Sequence, residues 1–283
     1  MRTRHFFVPA ALAATLLVCA AARGPGVRYE GDSPYNHLIV DQDLFGVRRL
    51  YFEKNGAIQS AIKPGAPLDL QLPYSHTAML ALPILGAPKK VLIVGLGGGA
   101  MPMFLRKLYP GLEIEVVDID PGVVKAAKEY FGFAEDQHLK AYVGDGRAWI
   151  EAARGGWDLV FLDAYGKGSI PRHLATLEFL KMLKAKLAPG ALVVGNVWEP
   201  GSNPLYHRMV RTYAEAFGTL CVKNVPGSGN RIFFASRPVP KNLVERAERF
   251  AGQHKLPFDL ASYAKVDCLP ADDVGATLLL DEK

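Results

Sequence analysis

Three aspartates and one glycine-rich turn carry the chemistry open to this sequence. Val91-Leu92-Ile93-Val94 runs into Gly95-Leu96-Gly97-Gly98-Gly99, and Ala100-Met101-Pro102 then opens a helix. Glycines let the backbone turn tightly and approach a ligand, and a helix N-terminus offers free N–H groups. Asp118 ends the next apolar run, 23 residues after Gly95, where a carboxylate can accept both hydrogen bonds of a ribose diol. Asp145, in Val143-Gly144-Asp145-Gly146, ends the third run and can meet an adenine amino group. Asp163, in Phe161-Leu162-Asp163-Ala164-Tyr165, ends the fourth. Any one of them is as readily a helix N-cap. Three at successive strand ends, after a glycine turn, mark the crevice where open α/β sheets bind ligands.

Those positions need a parallel sheet to hold them. Strand-like runs at 91–94, 114–118, 140–143, 159–162 and 192–197 alternate with helical stretches such as 121–131 and 174–187. Such alternation predicts a sheet with helices on both faces. Runs at 219–225 and 231–236, joined through Pro226-Gly227-Ser228-Gly229-Asn230, predict a closing antiparallel hairpin. Ahead of the sheet, runs at 37–41, 47–52 and 57–62, with Asn55-Gly56 as a turn signal, predict a small antiparallel β-domain over 27–73. A helical pattern over 74–85 leads into a Rossmann-like domain over 74–240, and a helix with a weakly patterned tail fills 241–283.

Composition narrows the function classes. The chain of 283 residues is 49% apolar by residue and 22% charged, which is a globular profile. Three cysteines, Cys19, Cys221 and Cys268, are too few for a disulfide framework or a cysteine-rich zinc site. The seven histidines show no pairing at ligand spacing, so no metal is expected. The net charge of +5 comes from dispersed lysines and arginines without a basic, aromatic-laced stripe, which argues against a nucleic-acid partner. Met1-Arg2-Thr3-Arg4, the apolar stretch 6–18 and Ala20-Ala21-Ala22 read as a signal peptide over 1–22, or as an uncleaved membrane anchor. Either form implies an exported or membrane-anchored bacterial protein, touching the membrane only through this segment.

In order and spacing these motifs resemble the spermidine synthase-like polyamine aminopropyltransferases, relatives of the class I methyltransferases. Ser33–Val40 and Gly56–Ser60 look like that family's opening strands, and Gly95–Gly99, Val117–Pro121, Gly144–Arg147 and Asp158–Asp163 follow in family order. The resemblance implies a Rossmann-like class I methyltransferase-type sheet with helices on both faces, preceded by a small antiparallel β-domain. It also implies a donor, decarboxylated S-adenosylmethionine or S-adenosylmethionine, with an amine acceptor and a possible homodimer. Carried over by residue, Gly95, Gly97, Gly98, Asp118, Asp145 and Gly146 would bind the donor, as would Asn36. Asp163 would be catalytic, and Tyr74 or His76, with Tyr165, would meet the acceptor. A carboxylate at Asp163 suits alkyl transfer, since an alkylamine is largely protonated at neutral pH and needs orienting and deprotonating before attack.

Three departures bear on the group transferred. Gly98 stands where family members carry an aspartate for the donor's amine, Gly166 where they carry a second acceptor aspartate, and Val225 or Pro226 where they carry an acceptor tyrosine. The segment 166–179 resembles spermidine synthase-like domains fused to bacterial transporters, and Lys167, Arg172 and His173 would bring positive charge to the site's mouth. Methyl transfer from intact S-adenosylmethionine and a non-catalytic nucleoside- or polyamine-binding role are the alternatives. Adenosyl sulfonium donors are made in the cytoplasm, whereas the leader points outside it.

Overall fold

The computed structural model describes residues 25–166, 170–269 and 275–282. The leader expected over 1–22 and Lys167 lie outside the described residues. Strands β1 (Gly26–Asp32), β2 (His37–Gln42), β3 (Arg48–Tyr51) and β4 (Ile58–Ile62) form a four-stranded antiparallel sheet in sequential order. The first of these is absent from the runs read in the sequence; it pairs with β2 across a register shift and is mostly solvent-facing, so it lacks clean alternation. Asn55 sits at φ 59° in the connection between β3 and β4.

The predicted helix over 74–85 is two short ones, α1 (Pro73–Ala78) and α2 (Ala81–Leu85). Pro73 is suited to the first turn of α1, while Pro83 lacks an N–H to donate. The main body then runs β5 (Lys90–Val94), α3 (Ala100–Leu108), β6 (Glu113–Asp118), α4 (Pro121–Tyr130), β7 (Leu139–Val143), α5 (Gly146–Ala152) and β8 (Trp157–Leu162). It continues with α6 (Leu177–Ala185), β9 (Leu187–Trp198), α7 (Tyr206–Phe217), β10 (Leu220–Asn224), β11 (Asn230–Ala235), α8 (Leu243–His254) and β12 (Asp267–Leu269). Helix α6 starts later than the sequence pattern suggests, because Thr176 caps it and Arg172–Leu174 is a 3-10 turn.

The eight strands lie in the order β12-β10-β11-β9-β8-β5-β6-β7. Strands β9, β8, β5, β6 and β7 are parallel, and β11, β10 and β12 extend the sheet antiparallel. Alternation within the central strands buries both faces: Val91, Ile93, Leu159 and Phe161 enter one core, and Leu92, Val94, Val160 and Leu162 the other. The chain winds outward from β5 through β6 to β7, then returns to β8 on the opposite flank of β5. That reversal opens a crevice beyond the carboxyl ends of β5 and β8. The tail is more ordered than its pattern implies, since β12 adds to the sheet edge and Cys268 forms a disulfide with Cys221 of β10.

Candidate active site

The crevice is a cavity of about 760 Å³ that runs across the strand ends from β7 to the β10–β11 turn. A cavity of that size suits a small-molecule ligand. Gly95 leaves β5 at φ +100°, and a Cβ there would lie 2.2 Å from the carbonyl oxygen of Asp163. Only a glycine lets the two strand ends approach so closely. Gly95 and Gly97 line the cavity. Gly98 is not among the lining residues, and a Cβ there would meet Ile62 of β4 and Phe131 at the end of α4 at 3.0 Å.

Asp118 is held by the glycine turn itself. Its carboxylate accepts from the Leu96 N–H at 2.8 Å and from the Asp120 N–H at 2.9 Å, and it lines the cavity. Burial pushes its pKa up to about 6 against those backbone bonds. Asp145 and Gly146 also line the cavity. Asp145 is at once an N-cap, accepting from Ala148 N–H at 2.9 Å, and the partner of His173 Nε2 at 2.7 Å. Burial acts to raise the Asp145 pKa, but the Ala148 and His173 bonds outweigh it and hold the group below its ordinary value. Asn36 also lines the cavity; its amide nitrogen donates to Asp120 at 2.9 Å while its Oδ1 is buried without a protein partner. Through that bond the small β-domain is tied to the N-cap of α4.

Asp163 stands at the centre of the crevice, after β8. It accepts from Asn196 Nδ2 at 2.8 Å and from the Tyr74 hydroxyl at 3.2 Å. Burial is the dominant influence and pushes its pKa up to about 7, with the two hydrogen bonds opposing. A carboxylate poised there can exchange a proton near neutral pH. Asn196 Oδ1 in turn accepts from Asn230 Nδ2 at 2.8 Å. Tyr165 donates to the Asn196 carbonyl at 2.8 Å and stacks on Trp198, with ring centroids 5.1 Å apart.

Of the two residues left open for the acceptor, Tyr74 faces Asp163 and His76 faces away. His76 Nε2 donates to the Leu70 carbonyl at 2.7 Å and its ring stacks on Phe258 at 4.1 Å, outside the cavity lining. Of the three residues expected to bring positive charge to the mouth, Lys167 lies outside the described residues, His173 lines the cavity against Asp145, and Arg172 pairs with Glu282 and with the Leu280 carbonyl. Among the described lining residues there is no lysine or arginine, and four are aspartates. An acidic cavity with a half-buried, poised carboxylate attracts a cationic ligand, and both a sulfonium and an ammonium qualify. The cavity thus brings Asp118, Asp145, Gly146 and Asp163 together along one wall of acidic strand ends. The turn 227–230, Ser202 and Gln59 also line the site. In the sequence, 226–230 reads only as a hairpin connection and Gln59 only as part of an opening strand. Val225 is core rather than lining.

Comparison with known proteins agrees with this geometry. The family model described as the spermine/spermidine synthase domain matches residues 74–226. A polyamine aminopropyltransferase from Vibrio vulnificus is 32% identical over 287 residues, covering 96% of this chain and 94% of its own. A probable spermidine synthase from Corynebacterium glutamicum shares the fold with a TM-score of 0.73 at 19% identity, over 90% of this chain and 96% of that one. Human methyltransferase-like protein 13, solved with S-adenosylhomocysteine (SAH), is 25% identical with a TM-score of 0.56, over 65% of this chain and 91% of its own. With a family match over more than half its length and a near full-length relative, the chain belongs to the spermine/spermidine synthase family.

Proposed function

We propose that this protein transfers the aminopropyl group of decarboxylated S-adenosylmethionine to an amine. The observation that carries the reading is Asp163, half-buried at the sheet's reversal point and facing one acidic cavity with Asp118 and Asp145. The glycine turn and Asp118 hold the nucleoside, so the sulfonium carbon is presented beside Asp163. Asp163 accepts the proton of the incoming ammonium and orients the free lone pair. The amine nitrogen then forms a bond to the propyl carbon as the carbon–sulfur bond breaks, and methylthioadenosine departs with the bonding pair on sulfur. Because the sulfonium is a good leaving group, alignment of nitrogen and carbon supplies most of the rate.

Methyl transfer from intact S-adenosylmethionine is the second reading, favoured by the likeness to methyltransferase-like protein 13 bound to SAH. Donor choice separates the two. Purified protein is titrated by calorimetry with both donors, and products with an amine are read by mass spectrometry. An aminopropylated product with preference for the decarboxylated donor supports the first reading; a methylated product refutes it.

The site of action we propose is an oxidising compartment outside the cytoplasm, supported by the Cys221–Cys268 disulfide together with the leader-like sequence. Alkylation of the protein taken directly from cells, before and after reduction, tests it. Free thiols at both cysteines in the native protein would refute export.

A further inference from the structure

The cavity is divided by charge along the sheet. Its four lining carboxylates, Asp118, Asp120, Asp145 and Asp163, all follow β6, β7 or β8. The other half, at the end of β9, just after it and around the β10–β11 turn, is lined by Asn196, Trp198, Ser202, Ser228 and Asn230, with Tyr165 beside them. None of these carries a charge. Glu199 is the carboxylate nearest in sequence, but it is not a lining residue and Arg231 holds it at 3.1 Å.

Three amide oxygens of this half already accept a hydrogen bond from within it. The Asn196 carbonyl accepts from Tyr165, Asn196 Oδ1 accepts from Asn230, and Asn230 Oδ1 accepts from the Ser228 hydroxyl. Tyr165 and Trp198 stack on each other, so each has one aromatic face covered. An ammonium brings three donors and a full charge to be satisfied, whereas a hydroxyl brings one donor and no charge. Among the described lining residues of this half, an ammonium arriving there would lose hydration without gaining a carboxylate.

We propose that the acceptor is a monoamine with an uncharged, hydrogen-bonding far end, such as a hydroxyalkylamine, in place of an α,ω-diamine. This rests on the amine-acceptor reading above. The single ammonium binds at Asp163, loses its proton there and forms the new carbon–nitrogen bond. The far end extends past Tyr165 toward Ser202 and the 227–230 turn.

The matched probes are 4-aminobutanol and 1,4-diaminobutane, which differ only in the distal hydroxyl or ammonium. Initial rates are measured with decarboxylated S-adenosylmethionine, and the binding of each amine to the methylthioadenosine-loaded protein is measured by calorimetry. The expected result is a kcat/KM about tenfold higher for 4-aminobutanol, after the statistical factor of two for the diamine, with the same order in binding. Equal values, a diamine preference, or no binding of either amine overturns the proposal. A preference for 4-aminobutanol in binding without any transfer upholds the acceptor class while refuting aminopropyl transfer. Ser202→Asp puts a carboxylate in the neutral half on an exposed position, and is expected to reverse the preference toward the diamine; a variant still favouring 4-aminobutanol counts against the proposal.

Discussion

Replacing Tyr74 with phenylalanine removes one of the two hydrogen bonds that keep Asp163 ionisable, and its consequence can be worked out from the geometry. The Tyr74 hydroxyl donates to the carboxylate at 3.2 Å, longer than the 2.8 Å bond from Asn196. Hydrogen bonds to charged groups contribute roughly 1.5–3 kcal/mol, so a long one is worth about 1 kcal/mol. At about 1.4 kcal/mol per pKa unit, its loss raises the Asp163 pKa by roughly 0.7 units above the present value. That value is about 7. The direction is upward because the lost bond stabilised the charged form. In Tyr74→Phe the ionised fraction at neutral pH then falls from about one half to about one sixth, and the rate with it roughly threefold. At about pH 9 both carboxylates are ionised and the two proteins should turn over alike. The assay is kcat/KM for amine alkylation across this range, reported as the ratio of variant to native protein. Protonation of the amine substrate affects both equally and cancels in that ratio. A ratio that stays constant with pH would refute the idea that Tyr74 tunes Asp163.

Three other variants probe the rest of the design. Asp163→Asn should lower turnover by roughly 10²–10⁴-fold above neutral pH, where the native carboxylate is ionised, while calorimetry shows donor affinity nearly unchanged, and retention of turnover there would remove Asp163 from the mechanism. Asp118→Ala removes the carboxylate that the Leu96 and Asp120 N–H groups hold in the cavity. It should weaken donor binding by at least about tenfold in the same calorimetric titration. Changing both Cys221 and Cys268 to serine opens a link spanning 47 residues. The expected cost is about 2–4 kcal/mol, read as a fall in Tm of roughly 5–12 °C, and an unchanged Tm would contradict a stabilising disulfide.

Much of the candidate site was legible because it is local. A glycine turn after an apolar run, and aspartates closing the runs that follow, are features of short segments whose spacing is set by strand and helix lengths. The period-two burial of 91–94 and 159–162 and the N-cap chemistry of Asp120 and Asp145 belong to the same class. Each is determined by backbone geometry within a few residues, so composition and order sufficed to place Asp118, Asp145 and Asp163 on one crevice.

What surrounds Asp163 was decided only by the fold. Tyr74 is 89 residues away in the chain, and Asn196 is 33. Tyr74 and His76 lie two positions apart on one short helix, so they project in different directions. No local rule says which of them faces the site. Packing of His76 between the Leu70 carbonyl and the Phe258 ring settles it. Gly98 shows the reverse case: its place in the glycine motif suggested the ligand, but β4 and Phe131 occupy the space its side chain would enter. The Cys221–Cys268 pair, the neutral half of the cavity and the turning of Arg172 toward Glu282 are likewise invisible in the sequence. All of them depend on which strand lies beside which, and strand order is set by the burial of whole faces, not by any run of neighbouring residues.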